Sequence, residues 1–319
     1  MLFGGARLGD SSWKQAYTDG TVFEQRWRDT ISRAGGREAA VGLSVEGRPL
    51  WRFDLGLRDA AAPTILLTAL VHGVEVIGSV ALLEAVSAVV ARNDSLLDRA
   101  RLVLMPIVNP DALAANMDRL KTGRRAYQRC NARGVDLNRN FPPVQRQGSS
   151  KSASRAGLAR WHPMAGSSWR LSPYFRGPHP LSEPESRAVR DVAVETTPRL
   201  SLGFHSFGDL LLYPWAHSRQ PNPRAAHYAR LARVFLNGMP HATYRFRQAI
   251  DWYPIVGDLD DWLDTQFATA ALTVEVSHLD RRLFHPRALN PFWWMNPTDV
   301  GAAVSAVAPG VIALLATGV

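Results

Sequence analysis

What the 319-residue chain has little of narrows its class first. A single cysteine, Cys130, excludes an internal disulfide and suits a reducing compartment. The opening MLFGGARLGDSSWKQ lacks the basic start and long apolar core of a secretory leader. No later run reaches the roughly 18 apolar residues of a membrane span. The expectation is a cytoplasmic protein without membrane contact. Lysine is scarce too: the 37 basic residues are overwhelmingly arginine, and against 28 acids they give a net charge of +9 and a pI near 10.3. That balance fits attraction of nucleic acid or acidic substrates, and fits equally an arginine-rich surface that is merely solvated. There is no internal repeat. With 46% hydrophobic and 20% charged residues, the composition is that of a globular protein, and the length suits one large α/β domain better than two small ones.

Within this frame, the stretch LLTALVHGVEVIG (66–78) organises the reading, because an unbroken apolar run ends in two metal-ligating residue types, His72 and Glu75. Ile65 to Val71 reads as a strand buried on both faces, and the segment after Glu75 as a packed helix. The pair then lies at the carboxyl end of a core strand, where open α/β sheets bind ligands. An imidazole nitrogen and a carboxylate three residues apart can converge on zinc. Equally, His72 could close the strand while Glu75 favours the helix dipole.

In chain order, residues 1–35 read as a helical lead-in with Phe23, Trp27 and Ile31 on one face, and 40–57 as a hairpin at the sheet edge around Glu46-Gly47-Arg48-Pro49. Arg101 to Val108 is a second apolar strand, stopped by Asn109-Pro110-Asp111. Residues 112–143 show no clear period, and 144–170 read as a long flexible loop. A helix follows Ser182, its N-cap, through Pro184. Leu200 to Ser206, Leu210 to Trp215 and Ala270 to Ser277 read as strands, Arg224 to Leu236 as a helix. The last helix runs from Thr298 to Leu315, capped by Asn296 or Thr298 and bent at Pro309. The alternation predicts a single α/β domain over 36–319, a mixed, mostly parallel twisted sheet with helices on both faces.

His72, Glu75 and His205 now lie at or just past strand ends, and Glu275 sits in a run too apolar to tolerate an unpaired charge. Two histidines and one glutamate leave the fourth zinc position open, the ligand set of a hydrolytic site. Glu275 is then the natural general base, the alternative being a buried structural ion pair.

At this point the residues resemble the zinc carboxypeptidase family typified by pancreatic carboxypeptidases A and B, from about Ser44 to the last helix. On that resemblance, His72, Glu75 and His205 (in GFHSFGDLLLYPW) hold one zinc ion, and Glu275 (in LTVEVS) is the general base. Asn138 and Arg139 (in GVDLNRNF) grip the substrate's terminal carboxylate, and Tyr253 is the mobile tyrosine that closes over it. Arg129 best fits the arginine that polarises the scissile carbonyl, with Arg124 and Arg125 as rivals. Asp260, seven residues after Tyr253, falls at the floor of the pocket for the C-terminal side chain, where an acid goes with basic substrates; the alternative is that Asp258, Asp260 and Asp261 form a solvated turn. Phe207 stands where the family often has tyrosine. An arginine fork with a neighbouring asparagine suits bidentate recognition of a free carboxylate, and a second guanidinium suits an oxyanion.

The expected activity is hydrolysis of the C-terminal peptide bond of a peptide with a free carboxylate, with basic C-terminal residues preferred. RCNARGVDLNRNFP and PLSEPES also resemble the murein peptide amidases, which cut before diaminopimelate in cell-wall peptides, so the substrate stays open between the two. A non-catalytic basic binding protein is disfavoured, because all four metal-site and base residues are present. Nucleic acid is therefore not the expected partner, and the oligomeric state is not legible.

Overall fold

A period-two code in the central strands shapes the molecule. In the strand Thr64–Ala69 (β3), Ile65, Leu67 and Ala69 join one core cluster and Leu66 the other. In Arg101–Met105 (β4), Leu102 and Leu104 face one way, Val103 and Met105 the other. Such strands are buried on both faces, so they look continuously apolar in sequence. The computed structural model describes residues 17, 19–59, 61–92, 96–144, 162–239, 243–279 and 286–317. Most of the loop expected over 144–170 therefore lies outside the described residues, as does most of the lead-in before residue 17.

The remaining strands are Arg37–Leu43 (β1), Pro49–Gly56 (β2), Leu200–His205 (β5), Leu210–Tyr213 (β6), Arg245–Gln248 (β7) and Ala270–Glu275 (β8). They form one eight-stranded sheet in the order β1-β2-β4-β3-β5-β8-β6-β7. The pairings β4–β3, β3–β5, β5–β8 and β6–β7 are parallel and the other three antiparallel. The sheet is thus mixed and mostly parallel, and the β1–β2 hairpin sits at its edge, as the sequence leads one to expect.

The principal helices are Gly20–Arg33 (α1), Val76–Ala91 (α2), Pro110–Lys121 (α3), Pro184–Thr196 (α4), Ala225–Asn237 (α5), Leu259–Phe267 (α6), Phe292–Met295 (α7) and Val300–Leu315 (α8). Phe23, Trp27 and Ile31 of α1 join the larger core cluster with residues of α2, α5 and α8. Ala188, Val189, Val192 and Ala193 of α4 and Leu259, Trp262 and Leu263 of α6 form the cluster on the opposite face. α2 is apolar nearly all round because the sheet and α8 cover it from two sides.

Several expectations are corrected. Residues 110–121 are helical: Asn109-Pro110 is a helix start, with the Asn109 side chain accepting from Ala112 N–H and Pro110 in the first turn, so β4 ends at Met105. Glu183, not Ser182, precedes α4, and the Ser182 hydroxyl instead donates to the Glu183 carboxylate. Asp299 caps α8. Asn296 serves α2 instead, accepting from Ile77 N–H at 3.0 Å and donating to Val74 C=O at 2.7 Å. Finally, Phe292–Leu315 is by length and composition apolar enough to cross a membrane, contrary to the sequence expectation. Here it is split into α7 and α8, with Val304, Val307, Val311 and Leu314 in the core.

Candidate active site

Three neighbouring parallel strands end at the same edge, and each brings one element of the site. β3 ends at Ala69, Leu70 adopts a left-handed φ of 53°, and a tight turn closes by Glu75 N–H donating to His72 C=O at 3.0 Å. Gly73 is required in this turn, because a Cβ there would lie 2.2 Å from Ala112 Cβ. Glu75 occupies the N-cap position of α2 yet makes no capping hydrogen bond. Its carboxylate points to the histidines instead.

The three side chains are buried and converge. His72 Nδ1 lies 2.9 Å from Glu75 Oε1, and His205 Nδ1 lies 2.9 Å from Glu75 Oε2 and 3.2 Å from His72 Nδ1. The ligating atoms fall within 4.8 Å of one another. Two imidazole nitrogens facing each other across a carboxylate need a shared proton or a cation between them. The donor set, N, N and O, is one that zinc takes. His72 Nε2 lies 3.0 Å from Asp136 Oδ1, an arrangement that puts the proton on Nε2 and leaves the Nδ1 lone pair for a metal. Arg129 Nη2 also approaches Nε2 at 2.7 Å, but it has acceptors of its own in Asp136 Oδ2 at 3.2 Å and, through Nη1, Glu75 Oε1 at 3.1 Å. The residues fit a single zinc ion. Burial alone would raise the Glu75 carboxyl; His72 and His205 hold it well below the usual range.

Glu275 ends β8 in register with His205 at the end of β5. Thr273 and Glu275 share the face that Ala271 presents to the α6 side, and Gly203 leaves room there between Thr68 and Asp260. Glu275 Oε2 is buried with no hydrogen-bond partner among the described residues. Burial pushes its carboxyl up to about 8, opposed by His205 and reinforced by Glu75. A divalent cation in the neighbouring cluster acts in the opposite direction.

Around this centre lies a cleft of about 500 Å³, lined among others by Arg129, Asn138, Tyr253, Asp258, Thr273 and Glu275. Arg124 and Arg125 are exposed and outside it, so of the three candidate arginines only Arg129 reaches the cluster. Asn138 Oδ1 accepts from Leu259 N–H at 3.2 Å. Arg139 is fully enclosed: Nε and Nη2 both donate to Met164 C=O, at 3.0 and 2.8 Å, and Nη1 to Asn138 C=O at 3.0 Å. Its fork is aimed at one oxygen, a carbonyl in this state. Tyr253 stands with its ring 5.8 Å from the Arg139 guanidinium. Asp260 lies one hydrogen bond behind the cleft wall, accepting from the Thr273 hydroxyl at 2.5 Å, and burial pushes its carboxyl up to about 6. Asp258 itself lines the cleft, its carboxyl raised by burial and by Asp261 and Asp260. Asp261 accepts from Ala216 N–H and pairs with His217, so the acidic turn is buried and partnered, not solvated.

Asp136 and Tyr174 carry no role in the sequence reading, and Asp258 enters it only as part of a solvated turn. Asp136 lies within GVDLNRNF, so its distance to His72 was implicit in a motif already singled out. Tyr174 has no motif or period, and only the folded loop brings it to the cleft.

With the geometry in place, comparison with known proteins is informative. The sequence profile of the zinc carboxypeptidase family matches residues 37–294. Carboxypeptidase B of Astacus astacus is 31% identical over 184 residues, 55% of each chain. Carboxypeptidase B2 of Bos taurus is 24% identical over 320 residues, covering 94% of this chain and 70% of its own. The chain spans about half the length of the first curated relatives it matches. Among solved structures, bovine thrombin-activatable fibrinolysis inhibitor in complex with tick carboxypeptidase inhibitor has a TM-score of 0.74 at 20% identity, covering 96% of this chain and 99% of that one. Carboxypeptidase A from Helicoverpa armigera has a TM-score of 0.67 at 22% identity, covering 92% and 72%. The buried His/Glu/His cluster at the edge of three parallel strands, together with a family match over most of its length, places this chain in the zinc carboxypeptidase family.

Proposed function

We propose that the protein is a metallocarboxypeptidase that removes the C-terminal residue of peptides bearing a free carboxylate, with a preference for a basic residue there. The observation that carries this reading is the gathering of a three-ligand metal cluster, the buried Glu275 carboxyl and the Arg129 guanidinium around one cleft, with Arg139 enclosed next to Asn138 in its wall. A zinc ion held by His72, Glu75 and His205 supplies a Lewis acid at the scissile carbonyl. The other steps belong to the chain. Asn138 and Arg139 receive the terminal carboxylate, which takes over the two donors that Met164 C=O now occupies. Arg129, on the metal side of the cleft, donates to the oxyanion that develops at the carbonyl. Glu275 accepts a proton from the attacking water and delivers it to the departing amine as the C–N bond breaks and the C–O bond forms. Tyr253 covers the occupied cleft and excludes water.

The preference is supported by Asp258, which lines the cleft, and Asp260 behind Thr273, two buried acids whose carboxyls burial pushes up. An ammonium or guanidinium relieves that penalty. The distal ammonium of diaminopimelate does so too, and this keeps amidase action on cell-wall peptides as the second reading. Cys130 is buried and unpaired, in keeping with a cytoplasmic location. Zinc-loaded protein assayed on peptides ending in Lys, Arg, Phe, Glu and diaminopimelate tests both readings. Release of Lys or Arg ahead of Phe supports the first, and cleavage confined to the diaminopimelate peptide supports the second. No hydrolysis of any peptide would overturn both.

A further inference from the structure

Arg129, which lines the cleft, and Arg139, enclosed behind Asn138 and Met164, bring like charges close together and share one carboxylate: Asp136 Oδ2 lies 3.2 Å from Arg129 Nη2 and 3.8 Å from Arg139 Nη1. Glu75 also takes Arg129 Nη1 at 3.1 Å and Met164 C=O takes the Arg139 fork, but each of these partners holds one guanidinium and not the other. A second group meets both. The Tyr174 ring lies under each, with its centroid 5.7 Å from the Arg129 guanidinium carbon and 5.7 Å from that of Arg139. Both distances are within the reach of cation–π attraction.

The backbone around Tyr174 is tied to the segments that carry both arginines. Asp136 N–H donates to Phe175 C=O at 2.8 Å, three residues before Arg139. The Cys130 thiol donates to Pro173 C=O at 3.2 Å, next to Arg129. Ser167 N–H donates to Tyr174 C=O at 2.8 Å and closes the loop on itself. The ring is therefore held by the same strands of chain whose side chains it touches.

We propose that Tyr174 is a positioning residue that acts through Arg129 and Arg139, setting the distance between the donor for the oxyanion and the fork for the terminal carboxylate. On this proposal the ring helps to fix where the chain end sits relative to the scissile carbonyl. The inference rests on the metallocarboxypeptidase reading above.

The test compares Tyr174→Leu and Tyr174→Met, which remove the ring, with Tyr174→Phe, which keeps it. Zinc content and Tm stay at the wild-type level in all three, since Tyr174 is only half-buried on a loop. On a free-acid peptide, kcat/KM falls roughly tenfold in the Leu and Met variants, and the ring-keeping Phe variant recovers most of that loss. Leu and Met variants as active as wild type, or a Phe variant as impaired as Leu, would overturn the proposal. A readout independent of turnover uses the arginine Nε–H resonances, assigned with Arg129→Lys and Arg139→Lys. Both signals shift when the ring is removed and keep their positions in Tyr174→Phe; unmoved signals in Tyr174→Leu refute the proposal. A wild-type protein that cleaves nothing, yet shows those shifts, refutes the functional reading alone.

Discussion

His205 and Glu275 are register partners at the ends of β5 and β8, so a residue of the metal cluster and a buried carboxyl leave the sheet side by side. Neither is near the other in sequence. Their adjacency follows from parallel pairing, in which equivalent strand ends share one edge.

Metal content depends on this edge. His205→Ala is expected to lose the single equivalent of zinc that wild type carries, measured by metal analysis after dialysis. Chelating the wild-type ion lowers Tm, by an amount set by occupancy: an ion present at 1,000 times its Kd contributes about 4 kcal/mol. Full zinc retention in His205→Ala would remove that residue from the ligand set.

Glu275→Gln separates binding from chemistry. Zinc content and fold persist, because the amide is isosteric and Glu275 Oε2 has no hydrogen-bond partner among the described residues. Turnover falls by about 10²–10⁴. An unchanged kcat takes Glu275 out of the reaction.

Amidating the C-terminus of a good substrate should abolish cleavage, since an amide offers Arg139 no anion in exchange for Met164 C=O. Arg139→Lys is expected to raise KM because a point charge replaces the bidentate fork. Equal rates on acid and amide would indicate an endopeptidase.

Asp260 links specificity to pH. Its carboxyl, pushed up to about 6, is protonated more readily folded than unfolded, where the value is near 3.9. The folded state thus carries no penalty below about pH 4, and the penalty grows to its full size as pH rises past 6. Asp260→Asn should therefore stabilise the ligand-free protein above pH 7, by about 3 kcal/mol at most, and leave it unchanged near pH 4. Urea titrations at the two pH values decide this. Asp260→Ile should also shift the Lys-to-Phe rate ratio toward Phe.

Asn140 is the hub beneath the turn that carries Asn138 and Arg139. Fully buried, it donates to Arg176 C=O, His179 C=O and the Ser182 hydroxyl, and accepts from Glu183 N–H and the Ser186 hydroxyl. Asn140→Ala leaves several of these groups unpaired and should cost about 2 kcal/mol in urea unfolding. A loss below a few tenths would mean that water replaces the amide.

The chain's own residues are enough to single out the core strands, the residues of the buried His72/Glu75/His205 cluster and the buried Glu275, for a local reason. Strands buried on both faces must be apolar along their whole length, so His72 at the end of LLTALV and Glu275 within AALTVEVS stand out as polar side chains the core does not explain. The Asn109-Pro110 boundary was misread for an equally local reason, because the same residues stop a strand and start a helix, and only the Ala112 N–H that Asn109 accepts from tells the two apart.

Tertiary structure alone decided the rest. That Arg129, and not Arg124 or Arg125, reaches the cluster depends on where one turn places its side chain. That Arg139 is sheathed by Met164, that Asp258 lines the cleft while Asp260 lies behind Thr273, and that Tyr174 lies beneath two guanidiniums all depend on contacts between segments distant in sequence. A residue's type announces which chemistry it can perform. Which neighbours share its space is set by chain crossings whose pattern leaves no period in the sequence.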